Sequence, residues 1–116
     1  MPAIRENDRV VALCERLAQA TRAGGAEWNR EGDDVFVWKV PEGSVAIGSR
    51  DKDGEPPYEF VVANANGERL DELTSDLVDG DRPAAWNEAL AELYRSARRK
   101  ALRADDVVDA LIAALR

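Results

Sequence analysis

The chain has 116 residues, 16 of them Lys or Arg and 23 Asp or Glu, with no histidine and a formal net charge of −7. That length suits one small domain, and 45% hydrophobic against 34% charged residues describes a globular chain that can build a core without metal or disulfide. The lack of histidine removes Ser-His-Asp triads, Cys-His pairs and imidazole metal ligands, and the lone Cys14 can form neither an internal disulfide nor a thiolate zinc cage.

Val10, Leu13, Cys14, Leu17 and Thr21 recur at steps of three and four, which predicts an amphipathic helix over about residues 8–23. Asn7 or Asp8 is placed to cap its start, and Gly24-Gly25 to end it in the left-handed region. Cys14 lies in mid-stripe and reads as a small buried hydrophobe, not a reactive thiol. Branched and aromatic residues over 34–40 predict a strand with Phe36, Trp38 and Val40 on one face. Pro41-Glu42-Gly43 predicts a tight turn with a left-handed glycine, and 44–49 a returning antiparallel strand. The third strand covers 58–65, with Tyr58, Phe60 and Val62 on one side. Asn66-Gly67 then predicts a two-residue type I′ hairpin, Ala65 facing Glu68 and Ala63 facing Leu70. It leads into a short, acidic edge strand over 68–73.

A polar connection runs from Thr74 to Arg82, and Asp81 and Pro83 mark a helix start. That helix covers about 83–102, with Trp86, Leu90, Leu93, Tyr94, Ala97 and Ala101 as its apolar stripe. Asp105-Asp106 could cap a last helix over 105–115 carrying Val107, Val108, Leu111 and Leu115. A break near Arg103–Asp105 is expected, although one unbroken helix would keep the same face. The expectation is a single α+β domain over 1–116: an N-terminal helix, a four-stranded antiparallel meander, and two C-terminal helices packed on one sheet face.

Arg95, Arg98, Arg99, Lys100 and Arg103 place five cations within nine residues, the pattern of a phosphate, nucleic-acid or acidic-partner site. Against that, Glu88, Glu92, Arg95, Arg99 and Arg103 fall on one outward strip, acids first and bases last. This order suits the helix dipole and allows Glu92–Arg95 pairing. The acidity is also spread evenly, 8 basic and 11 acidic residues over 1–58 and 8 and 12 over 59–116, which repels nucleic acid. Trp38 and Trp86 sit on apolar faces as core anchors, whereas Trp28 lies in a polar segment as a lid or an interface aromatic. The candidate binding residues are Trp28, Arg95, Arg98, Arg99 and Arg103.

No catalytic residue, cofactor or metal ligand is expected. Asp51 to Glu55 resembles part of a calcium loop, but aligning Gly54 at the sixth position puts Ser49 first and Phe60 twelfth, so the register fails. There is no glycine-rich phosphate loop, and no carboxylate pair stands out by apolar surroundings. Met1 to Asp8 lacks the basic and apolar regions of a signal peptide, and no apolar run nears the ~20 residues that span a bilayer. A cytoplasmic location, away from membranes, is the expectation.

Trp28, Gly43-Ser44-Val45-Ala46-Ile47, Tyr58-Glu59-Phe60-Val61-Val62, Asn66-Gly67 and the stretch from Leu93 to Leu102 form a further pattern. With it, the chain from Ala20 onward resembles a widespread group of small, uncharacterised bacterial proteins common in actinobacteria. Their pattern ends in Leu-Tyr-x-x-Ala-Arg-Arg-x-Ala-Leu, followed by an Asp-containing amphipathic helix. The resemblance implies a bacterial cytoplasmic α+β domain and carries no activity, cofactor or catalytic residue. The functional expectation is a non-enzymatic protein-binding or adaptor domain that self-associates, because apolar stripes on three helices exceed what one sheet face covers. The alternatives are regulatory binding of nucleic acid or an anionic ligand through Arg95 to Arg103, and a small carboxylate enzyme on the open sheet face.

Overall fold

The computed structural model describes residues 2–75 and 84–115. Helix α1 (Pro2–Arg22) is followed by strands β1 (Asn29–Arg30), β2 (Val35–Val40), β3 (Gly43–Ser49), β4 (Tyr58–Asn64) and β5 (Arg69–Thr74), then by helices α2 (Ala84–Ala101) and α3 (Ala104–Ala114). The strands form one sheet in chain order, every neighbouring pair antiparallel. The α+β class and the meander are as expected. The proposed starting points of the first long C-terminal helix, Asp81 and Pro83, lie outside the described residues.

Alternation along the strands decides which side of the sheet is buried. Phe36, Ile47, Phe60 and Leu73 stand opposite one another across four strands and form a buried row. Val45 extends that face and is also buried. Onto it pack Val10, Cys14, Leu17 and Ala18 of α1, and Leu90, Leu93, Tyr94 and Ala97 of α2. Burying each large side chain contributes roughly 1.5–3 kcal/mol, so this layer supplies most of the driving force. The opposite sheet face carries Val35, Val37, Ala46 and Val61; Val37 is buried there yet stands outside the core cluster.

Several expectations are corrected. The sheet has five strands, because Asn29 and Arg30 pair with Val37 and Phe36 although both are exposed. α1 starts at Pro2, so positions 7 and 8 lie inside the helix and not at its start, the place expected for Asn7 or Asp8; proline is tolerated in a first turn. Trp38 and Trp86 are only half-buried, packed against the edge of the core. Gly43 does not occupy the left-handed region. It opens β3, where the backbone of β4 comes so close that an added Cβ would lie 2.4 Å from the Ala63 carbonyl oxygen.

The β4–β5 connection also differs. Only Gly67 has a positive φ (84°), the Gly67 amide donates to the Asn64 carbonyl (3.0 Å), and the Asn64 amide donates to the Glu68 carbonyl (3.0 Å). The Asn64 carboxamide oxygen accepts from the amides of Asn66 and Glu68 (2.9 and 3.0 Å). These bonds favour a loop over residues 65–67, which places Ala63 opposite Arg69 and leaves Leu70 in a bulge, 59% exposed.

The break between the last two helices is confirmed at Arg103, which adopts the left-handed conformation (φ 56°, ψ 44°). α3 itself does not pack on the sheet. None of its residues is buried, and within the described chain it touches only α2 to any extent. The Cα radius of gyration is 15.0 Å with extents of 58 × 36 × 25 Å. A compact chain of this length would have a radius of about 13 Å, so α3 stands off the body.

Gly43→Ala should lower stability by about 2 kcal/mol or more, since β3 must move away from Ala63 to admit the methyl group. Urea unfolding of the two proteins checks this; an unchanged midpoint would contradict the close approach.

Candidate functional site

α2 presents one side to the core and its opposite strip to an open groove of about 820 Å3. The end of α1, the segment into β1 and the start of α3 form the other walls. Helical spacing brings Arg95 and Arg99 to this groove, the break after α2 brings Arg103, and the chain reversal after Gly24 brings Trp28 there. Four of the five expected binding residues therefore meet. Arg98 does not line the groove; it lies toward Tyr94, whose phenolate its charge favours.

The cations in the groove are already matched. Arg22 and Arg95 both pair with Glu92, the first at 3.1 Å. Arg99 pairs with Asp105, Lys100 with Glu27 at 3.4 Å, and Arg103 with Asp106 at 3.0 Å. The Glu92–Arg95 pair is the one expected from spacing, whereas Arg22 and Glu27 come from parts of the chain that sequence reasoning left unconnected to this site. All the pairs are solvent-facing and stabilise by roughly 0–1 kcal/mol each. Asp105 and Asp106 thus serve as ion-pair partners in the first turn of α3, without a side-chain cap.

Trp28 is a core residue, 4% exposed, not an exposed aromatic. Its indole Nε1 donates to the Thr21 hydroxyl (2.8 Å), which in turn donates to the Leu17 carbonyl (2.6 Å). The ring closes the end of α1 over the sheet and forms only the floor of the groove.

A second polar cluster was not legible beforehand. The Tyr94 hydroxyl donates to the Asp34 carboxylate, whose other oxygen accepts from the Gly54 amide at 3.2 Å. Tyr58 stacks on Tyr94 with centroids 4.6 Å apart and donates to the Gly54 carbonyl at 3.1 Å. Phe36 meets Tyr94 edge-on. Asp34 has φ 59°, a conformation aspartate tolerates better than most side chains. The Asp51–Glu55 loop closes on itself, with the Ser49 hydroxyl donating to Asp53 and the Glu55 amide to the same carboxylate oxygen. Those two bonds, the Glu55 amide first, hold the Asp53 carboxyl below its usual range. Among the described residues, no group of Cys, Asp and Glu could hold a metal ion, and no helix is long and apolar enough to cross a membrane.

Burial, followed by the Asp34 hydrogen bond, raises the Tyr94 phenol well above its ordinary value, and burial raises Tyr58 too. Burial, then the Glu15 charge, pushes the Cys14 thiol up to about 12. Cys14 is fully buried and protonated at neutral pH, as a packing residue should be.

The third feature is the exposed side of α3. Val107, Val108, Leu111, Ile112 and Leu115 are all at least 46% exposed, Leu115 reaching 87%. Helical periodicity gathers them on one face, with Asp105, Asp106 and Asp109 on the other. No protein-family model matches the chain, and neither a curated protein nor a solved structure matches it.

Cys14 and Tyr94 hold their protons more tightly when folded than when unfolded, so their contribution is complete below about pH 9 and is lost as pH rises toward 12. The urea midpoint should fall from pH 9 upward. Tyr94→Phe should cost about 1–2 kcal/mol at pH 7 and make the alkaline fall shallower; a variant matching the parent at both ends would contradict the Tyr94–Asp34 link.

Proposed function

We propose that the chain is a non-enzymatic protein-binding or adaptor domain that self-associates, and that α3 is its docking element. The observation that carries this reading is the five-residue apolar face of α3, which none of the described residues covers. It leaves on the order of 500 Å2 of apolar surface in water, as large as the largest patch a typical monomeric protein shows. A helix held on a two-residue connection, apolar on one side and acidic on the other, has the form used for helix-in-groove and helix–helix recognition.

The rival reading, an anionic ligand in the groove, draws on Arg22, Arg95, Arg99, Lys100 and Arg103. Any such ligand must displace Glu27, Glu92, Asp105 and Asp106 from pairs they already make, which reduces the gain on binding. A carboxylate enzyme would need an acid sunk in apolar surroundings, whereas these four are exposed and ion-paired.

The test is recovery of tagged protein from its native lysate after nuclease treatment, beside Leu111→Asp/Ile112→Asp. The parent should retain protein partners, untagged copies of itself among them, and the variant should lose them. Recovery indifferent to the two substitutions, or abolished by nuclease, would overturn the reading.

A further inference from the structure

We infer that the apolar face of α3 is covered by the α3 of a second copy, in an antiparallel pair about a two-fold axis close to Leu111. This rests on the reading of α3 as a docking element and names its occupant.

The choice follows from area, charge and shape. Outside α3, the exposed large apolar side chains among the described residues are Val40 and Leu70, on separate strands. Leu70 does line a groove with Val10, Leu13 and Val62, but Val10 is buried and the other two are half-buried, so the face of a second copy that matches the apolar area of α3 is α3 itself. Self-pairing across a two-fold axis also closes the assembly without any other component. The two copies would together bury roughly 1,000 Å2, the size at which a specific interface begins.

The antiparallel sense follows from the charges. Asp105, Asp106 and Asp109 all occupy the first half of α3. Parallel helices would gather the aspartates of both copies at one end of the pair and align the two dipoles. The antiparallel arrangement sends the acidic halves to opposite ends and opposes the dipoles. In that alignment Leu111 lies near the axis and Val107 meets the partner's Leu115. The projection of α3 beyond the body leaves room for the second copy.

The experiment uses the purified full chain. Sedimentation across a wide concentration range should show the mass rising from 12.8 kDa toward twice that value. Leu111→Asp/Ile112→Asp should stay at the lower mass, with the urea midpoint that the parent shows when diluted to the monomer, because these side chains are mostly exposed within their own chain. A short bis-maleimide should join two copies of Leu111→Cys and leave Ala113→Cys, on the opposite face of α3, unjoined. The buried Cys14 leaves the added thiol as the one that reacts. A parent that stays monomeric, or cross-linking at Ala113→Cys in preference to Leu111→Cys, would overturn the pairing, and the lysate experiment would still judge α3 as a docking element. A dimer that persists in Leu111→Asp/Ile112→Asp would overturn the pairing and also remove α3 as the self-association surface.

Discussion

Leu90, Leu93 and Ala97 lose all solvent exposure because α2 packs against both α1 and the sheet, and the other features follow from that position. A helix buried along so much of its circumference has only a narrow strip left for charge, which is why Glu92, Arg95 and Arg99 share one line. Tyr94 adds orientation to the hydrophobic contact. Its ring stacks between helix and sheet, and its hydroxyl ends on Asp34 at the start of β2, fixing how α2 lies across the strands. Trp28 does the same for the end of α1 through Thr21. The apolar layer supplies the stabilisation, and two aromatic residues with polar tips decide the angle at which it is assembled.

The surface divides into two chemistries with opposite standing. The charged groove is dense in ions but locally neutralised, each cation resting on an acid of its own or a neighbouring segment. It behaves as a solvated seam joining α1, α2 and α3. The apolar side of α3 has no such internal compensation. Surface charge finds its partners cheaply in water or in neighbouring side chains, whereas exposed leucine and isoleucine can be satisfied only by another apolar surface. That difference locates the functional reading on α3 instead of on the arginines.

Much of this was legible from the residues. The stripes of α1 and α2 and the alternation of β2 and β4 were clear, because burial imposes a period that polar substitutions would break. β1 was invisible: Asn29 and Arg30 are exposed and polar, and their strand character comes wholly from pairing with β2. The β4–β5 register shifted because the Asn64 side chain, itself outside the Asn66-Gly67 signal, accepts two amides and selects a longer loop. Trp28 looked peripheral because its sequence neighbours are polar, yet the residue that decides its place, Thr21, lies a turn and a loop away. The five arginine and lysine positions could be read as charge, but their neutralising acids could not, since Arg22–Glu92 and Lys100–Glu27 link distant segments. The stripe of α3 was seen and assigned to the sheet. An apolar face has the same spacing whether it packs within its own chain or against another.

The place of α2 along the chain has a consequence for synthesis. Hairpin connections let β2 to β5 pair as soon as each emerges, so the sheet can form early. α1 precedes the sheet, but Cys14, Leu17 and Ala18 share their cluster with Leu90, Leu93 and Ala97, more than seventy residues later. During translation the inner faces of α1 and the sheet must wait in water, or on a chaperone, until α2 arrives to close them. From the completion of β5 until α2 docks, the nascent protein therefore holds two half-cores awaiting one helix.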